Sequence, residues 1–301
     1  MIKLPAGWVN ASRLEKSLLG AGDAHRPNIF EVAIRFPIGC KVMVDAAIRL
    51  LSLINQLDSC TRRVRLDFEE GEAGTMGYLN RVGFFDHLSR SVEVLPSRPS
   101  FSGAKLYRGS NAELVEIARI NKDHRDDTLL SRLIDALSGA CGTRSDAGDL
   151  KGAAWTIFAE LIDNVFSHSA TPLDGYAALQ VYTRGGKLKV AVSDSGLGIM
   201  QTLRPALKAE FPRFAALSDV DLLVETLRHG LSRHGRDRGC GLKGSAEKAI
   251  KFRADLDVRL PTTRVWLKPG SRSYEANMAY CYEHLPLLWG THICFDFDLS
   301  G

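Results

Sequence analysis

The chain has no C-x-x-C pair and no Cys/His cluster at metal-ligand spacing; its six cysteines, Cys40, Cys60, Cys141, Cys240, Cys281 and Cys294, are scattered through 301 residues. That pattern excludes a zinc ribbon or a disulfide-stapled scaffold. With no recognisable secretory leader, the expectation is reduced thiols in a cytoplasmic protein. No apolar run approaches the roughly 18 residues of a spanning helix, so a membrane sensor is not expected. No G-x-x-x-x-G-K-[ST] loop occurs, which removes the P-loop NTPases. The net charge of +4 comes without a long basic run, so nucleic acid is not indicated as a partner. What remains is a composition of 45% hydrophobic and 25% charged residues, enough for two domains that each bury a core.

Three stretches carry chemistry. In the first, Ala154, Ile157, Phe158, Leu161, Ile162 and Val165 recur at i, i+3, i+4 spacing and predict a helix over 153–168. Glu160, Asn164 and Ser167 fall within roughly 60° of one another to one side of that apolar stripe. Alone, E-x-x-x-N describes any solvated helix face. In the second stretch, apolar alternations around Leu179–Val181 and Leu188–Val192 flank Arg184-Gly185-Gly186-Lys187 and predict a β-hairpin. Its second strand runs into Asp194-Ser195-Gly196-Leu197-Gly198-Ile199, where a carboxylate can accept from an exocyclic amine while bare backbone lets a flat base lie close. The third, Gly239-Cys240-Gly241-Leu242-Lys243-Gly244, precedes a helix-like opening at Ser245–Ala249, and free N–H groups there suit phosphate oxygens. The order is helix, hairpin, Gly turn, long insert, Gly turn. It is not the βαβ order of a Rossmann unit.

Together, Glu160-Leu-Ile-Asp163-Asn164 with His168, Asp194-Ser-Gly196-Leu-Gly198, Gly239-Cys-Gly241-Leu242 and a closing Gly290-Thr291 before a final strand resemble the four-box signature of the GHKL superfamily. That superfamily comprises gyrase-type topoisomerases, heat-shock-90 chaperones, histidine kinases and mismatch-repair ATPases. The resemblance spans roughly residues 145–301. It implies a Bergerat ATP-binding fold, an α/β two-layer sandwich, with ATP and Mg²⁺ as ligands. By the family pattern Asn164 would ligate Mg²⁺ through its amide oxygen, and Glu160 would act as general base. Asp194 would hold the adenine amine, with Gly196, Gly198 and Ile199 beside the ring and Thr291 near the same end. Gly239, Gly241 and Leu242 would meet the phosphates by backbone. Asp163 fits the ATPase branches better than the histidine kinases, which usually carry Asn where Glu160 stands. His168 matches a residue that packs locally.

The same resemblance makes 200–238 an ATP lid, a stretch of about 40 residues that is long for a loop and therefore functional or partly helical. Val220, Leu222, Leu223, Val224, Leu227 and Leu231 predict an amphipathic helix in it. Arg228, His229, Arg233, His234, Arg236 and Arg238 make its end basic, and Arg238 and Lys243 are the candidates for pairing with triphosphate.

Residues 1–95 read as a small α/β domain. Helices are predicted around 11–19, over 41–57 and over 78–85, strands over 28–37 and 63–68, and a loop over 71–77. This order loosely resembles a STAS-type module, which would make Thr75 a candidate phospho-acceptor. Residues 96–109 are Pro/Ser/Gly-rich and read as a linker, and 112–137 read as a helical connector, so that 96–144 separates the two halves. The only strands expected late in the chain are 254–260, 263–267 and 290–297. No second α/β domain follows, so a DNA-gating or repair machine is not expected. The expectation is a Mg²⁺-dependent, ATP-hydrolysing cytoplasmic switch that meets a protein partner or itself. The alternatives are a serine/threonine kinase of the anti-sigma-factor type and a non-hydrolysing ATP sensor.

Overall fold

The computed structural model describes every residue except 122, 124–125, 143, 169–170, 232–239 and 300–301, and also leaves out the side chains of 167, 168, 209 and 240. The N-terminal part runs β1 (Ile2–Lys3), β2 (Gly7–Val9), α1 (Ala11–Ala21), β3 (Glu31–Phe36), β4 (Cys40–Val42), α2 (Val44–Ser59) and β5 (Arg63–Phe68). It continues through α3 (Thr75–Arg81), α4 (Phe84–His87), β6 (Glu93–Leu95), α5 (Gly103–Leu106) and β7 (Leu114–Ile120). Next come α6 (Leu129–Ala140), α7 (Ala147–His168), β8 (Gly175–Tyr182), β9 (Lys187–Ser193), α8 (Ile199–Glu210), α9 (Pro212–Ala215) and α10 (Asp219–His229). Last are α11 (Cys240–Lys251), β10 (Asp255–Arg259), β11 (Arg264–Pro269), β12 (Tyr274–Ala276) and β13 (His292–Asp298).

The fold is mixed α/β. Among the described residues, β1-β3-β5-β6 form a parallel sheet, β12-β11-β10-β13-β9-β8-β7 form a seven-stranded antiparallel sheet, and β2 pairs with β4. One face of the antiparallel sheet is covered by helices, with α7 packed between α6 and α11. The other face packs on α2, which also touches β5 of the parallel sheet. A helix between two sheets has no solvent side, and Val44 to Leu57 is almost wholly buried. Leu114, Ile117, Tyr176, Ala178 and Ala191 of the antiparallel sheet belong to the same apolar core as the N-terminal strands.

The polar residues of α2 form one stripe. Asp45, Arg49, Ser52 and Gln56 are all buried, and their 4-3-4 spacing keeps them on one side of the helix. That side meets the antiparallel sheet. Asp45 pairs with Lys189 at 3.4 Å, and Lys189 with Asp296 at 2.9 Å. Arg49 pairs with Glu15 at 3.4 Å and Asp257 at 3.1 Å. Arg259 meets Glu15 and Arg264 meets Asp257, each at 3.0 Å.

Four sequence expectations change. Residues 112–137 are not one helix: 114–120 form β7, paired antiparallel to β8 with a bulge between Val115 and Ala118. The strand is buried on both sides, Leu114 and Ile117 toward the N-terminal core and Val115, Ala118 and Ile120 toward the helices, so its apolar positions do not alternate strictly. Residues 96–109 are docked and do not hang as a linker. The Arg98 guanidinium donates to the carbonyls of Phe85, Leu88, Ser89 and Val92, and Gly103 lies against the α3 backbone. The helix expected over 78–85 starts at Thr75 and breaks at Gly83, whose φ of 87° is left-handed. The helix expected near Ser245 begins at Cys240, so Gly241, Leu242 and Lys243 sit in its first turn.

Candidate functional site

Helix α7 lays Leu161 and Val165 into the core and turns Asn164 toward a cavity beside the end of β9. The cavity, about 40 Å³, is lined by Asn164, Asp194, Gly198, Ile199, Leu242 and Thr291 together with Leu161, Val165, Val192 and Ile293. Six of the residues singled out from the sequence, carried on four separate segments, therefore meet at one place. A second cavity of about 20 Å³ lies deeper and shares Leu161, Ile199, Leu242, Thr291 and Ile293 with the first. The outer cavity has room for on the order of three water molecules. A purine would need it to open, and Leu242 is one of five residues that line both spaces.

Asp194 is 9% exposed. Its Oδ1 accepts from the Gly196 N–H at 2.7 Å and its Oδ2 from the Thr291 N–H at 3.1 Å. The Asp194 N–H donates to the Thr291 carbonyl at 3.0 Å, and the Thr291 Oγ1 accepts from the Ile199 N–H at 3.0 Å. Those bonds tie the end of β9, the start of α8 and the approach to β13 into one rim. Gly290 at φ 90° rides directly on the Asp194 carbonyl, where a Cβ would collide. Gly198 at φ 80° leaves 3.1 Å between a notional Cβ and the Gly290 carbonyl. Desolvation pushes the Asp194 carboxyl up to about 6, against the two N–H groups that favour its charged form.

Glu160 lies one turn before Asn164 and is half-buried. Burial raises its pKa above the ordinary carboxylate value; the Asn164 amide beside it acts in the opposite sense, and the charge of Asp163 adds to the rise. The Asn164 Nδ2 is buried with no hydrogen-bond partner among the described residues. The same holds for the Ser245 Oγ, which lines the deeper cavity. Orphaned buried polar atoms are rare in native folds, and each costs free energy until something meets it. Gly241, in the first turn of α11, packs its bare Cα face on the Glu160 carboxylate, and a Cβ there would occupy the same space. The N–H groups of a helix's first turn have no intrahelical acceptors, so α11 points an anion-seeking end at this region.

Comparison of the chain with protein-family models, curated proteins and solved structures finds no match.

Not every predicted residue joins the cavity. Asp163 is exposed and does not line it, since it sits almost opposite Leu161 on α7. Lys243 is turned toward Glu247, 3.9 Å away on the solvent side of α11. Arg238 and Gly239 lie outside the described residues, as do Arg233, His234, Arg236 and the side chain of His168. The stretch expected to be a lid is largely packed structure: α8, α9 and α10 occupy 199–229, and Leu222, Leu223 and Leu227 are core residues. Among the described residues there is no group of three or more His, Cys, Asp or Glu able to hold a metal ion. A Mg²⁺ carried on a triphosphate needs only one or two protein oxygens, which the Asn164 Oδ1 can supply, while the unmet Nδ2 is a donor and suits an acceptor such as a phosphate oxygen. Among the described residues no helix is long and apolar enough to cross a membrane.

Ser245, Val165 and Ile293 line these cavities although the sequence reading gave them only structural places, in a helix opening, an apolar stripe and a strand. Ser245 follows Gly241 by four residues and so stands one turn further along the same helix face, a spacing that was available. Ile293 was read as a strand position and nothing more.

Proposed function

We propose that the chain binds ATP with Mg²⁺ in the cavity between α7 and the β9 end, as a nucleotide-hydrolysing switch of the GHKL kind built on a Bergerat-type layer. One observation carries the reading. Asn164, with its unmet amide, and Asp194, with its desolvated carboxylate, face a single cavity from two different elements. In this reading Asp194 accepts from the exocyclic amine of adenine while Gly196 and Thr291 fix the carboxylate's orientation. Gly198 and Ile199 floor the ring, and Leu242 swings to admit it. The first turn of α11 faces the phosphates. Asn164 would hold a Mg²⁺ through its Oδ1, and the ion would supply charge neutralisation for the phosphate oxygens. Glu160, made more basic than an ordinary carboxylate by burial, draws a proton from the attacking water.

A cavity of about 40 Å³ does not admit a purine, so the reading requires the site to open on binding. The protein-kinase alternative is weaker with Thr75 as acceptor. That residue is buried at the start of α3, and its hydroxyl donates to the Cys40 carbonyl. Titration calorimetry with ATP, with and without Mg²⁺, tests the proposal. Saturable binding that strengthens with Mg²⁺ is the expected result. No heat with ATP up to millimolar concentration, under conditions where the protein is folded, overturns it.

A further inference from the structure

The two segments that define the Asp194 end of the cavity are each gripped from behind by α2. Side chains alternate along a strand, so Ser193 and Ser195 point away from the cavity that Asp194 faces. On the other segment Trp289 and His292 bracket Gly290 and Thr291. The Trp289 N–H can only donate, which turns the Gln56 Oε1 toward it, at 2.9 Å. The Gln56 Nε2 then donates to both the Ser195 Oγ at 2.9 Å and the Trp289 carbonyl at 3.0 Å. One turn earlier on the same stripe, Ser52 meets the Ser193 Oγ at 2.6 Å. Ser193 in turn meets the His292 Nδ1 at 2.6 Å, and the His292 Nε2 lies 3.0 Å from the Trp289 carbonyl. A carbonyl only accepts, so Nε2 carries the hydrogen. Burial among cations keeps the ring neutral, leaving Nδ1 as acceptor. The direction of the chain is thereby fixed: Ser52 to Ser193 to His292 to Trp289. Two side chains of the N-terminal layer thus close two hydrogen-bonded links across the pair of segments that supply the Asp194 carboxylate's partners.

We infer that Gln56, backed by Ser52, is a positioning residue for base recognition. It sets the spacing between Asp194 and Thr291, and the N-terminal α/β layer is coupled through α2 to which nucleotide the cavity accepts. This inference rests on the ATP reading above. Positional error of about 1 Å at a recognition group can cost on the order of a hundredfold, and α2 is joined on this rim by the His25 ring, 5.1 Å from that of Trp289.

The test compares the affinities of ATP and inosine triphosphate by calorimetry. The two share their phosphates and differ at one edge of the base, where the amine and N1 acceptor of ATP become a carbonyl and an N1–H in inosine triphosphate, so the ratio reads the placement of Asp194 against that edge. Gln56→Ala is expected to lower the ATP preference about tenfold while leaving inosine triphosphate affinity unchanged. Asn55→Ala is the control for mere packing. It removes bonds to the Tyr176 hydroxyl and the His87 carbonyl from the adjacent position of the same helix, and the ratio should stay as in the wild type. An unchanged ratio in Gln56→Ala overturns the inference, and so does an equal loss in Asn55→Ala. A wild-type protein with no preference for ATP sinks the nucleotide reading itself, before any variant is made, and the inference falls with it. If Gln56→Ala does not fold, Ser195→Ala cuts the same link from the loop side. The same fall in ratio is then expected, and a wild-type ratio refutes the positioning role.

Discussion

Asp257 and Asp194 are both buried carboxylates at the antiparallel sheet, yet one is locked between two guanidiniums and the other faces a cavity with only backbone N–H groups for company. On the α2 face, each buried charge of the Glu15, Arg49, Asp257, Arg259 and Arg264 cluster has an opposite charge within 3.4 Å. On the helix-covered face, Asn164 and Ser245 keep polar atoms unmet. Burial and a displaced pKa are common to both places, so neither property alone marks a site. Unmet polar atoms occur on both faces, Glu15 Oε2 and Asp45 Oδ1 among them, so the distinguishing mark is charge pairing: each buried ion of the cluster meets an opposite one, and Asp194 meets backbone N–H groups instead.

The largest effect should come from breaking the completed side. Asp257→Ala leaves Arg49 and Arg264 without their shared carboxylate and should cost about 3–5 kcal/mol of unfolding free energy, read from urea titration. A loss below 1 kcal/mol would mean the cluster is not holding the two layers together. The opposing pH slopes sharpen the contrast. Desolvation raises the Asp257 carboxyl, but Arg49 and Arg264 outweigh it and hold the group well below its ordinary value of 3.8. Its contribution is therefore present above about 3.8 and lost as pH falls toward the folded value.

Next in size is Glu160→Ala. Loss of a general base lowers turnover about 10²- to 10⁴-fold, with ATP affinity changed only a few-fold. Single-turnover phosphate release together with calorimetry separates the two quantities. Equal turnover in the variant removes Glu160 from the chemistry.

Asp194→Asn follows, and here the two faces should part company most visibly. The folded-state pKa of about 6 lies above the ordinary value of 3.8, so the stabilisation tied to this group is present below 3.8 and lost as pH rises through about 6. Ionised Asp194 therefore costs the fold, by about 3 kcal/mol at most above that pH. Asparagine removes the buried charge but turns its NH2 against the Gly196 or Thr291 N–H, so the melting temperature at pH 7.5 should change little while ATP affinity falls about a hundredfold. In the wild type, ATP affinity should weaken as pH drops below about 6. A variant that loses stability and retains ATP binding would put Asp194 with Asp257, as structure and nothing more.

The sequence disclosed these two faces unequally. Patterns local to one element were readable: the apolar stripe of α7, the hairpin of β8 and β9, the alternation in β5, and the turn residues around Asp194. Their residues lie within a few positions of one another, and the site inherits its order from them. The α2 face was not readable in the same way. Its bonds join Glu15 to Arg259 and Gln56 to Trp289, across more than two hundred residues, and nothing local announces such a partner. One trace was present, the 4-3-4 run of Asp45, Arg49, Ser52 and Gln56 through an otherwise apolar helix. β7 was missed because burial on both sides erased the alternation that marks a half-exposed strand. The 96–109 segment misled through composition, since four carbonyls captured by Arg98 make an ordered strap of residues that read as a tether.

The smallest effect concerns Thr75, where the loop hydroxyl that a kinase reading needs has become part of the packing. It is 6% exposed and its hydroxyl donates to the Cys40 carbonyl, linking the start of α3 to β4. Thr75→Ala removes one buried hydrogen bond and should cost about 1 kcal/mol, with turnover unchanged. Incubation with γ-labelled ATP then separates two fates of the phosphate. Label recovered only as free phosphate, in wild type and variant alike, agrees with transfer to water. Label on the wild-type protein that vanishes in Thr75→Ala would require α3 to unwind from β4 far enough to present the hydroxyl, and would make this buried threonine, rather than the cavity's solvent, the acceptor that Glu160 serves.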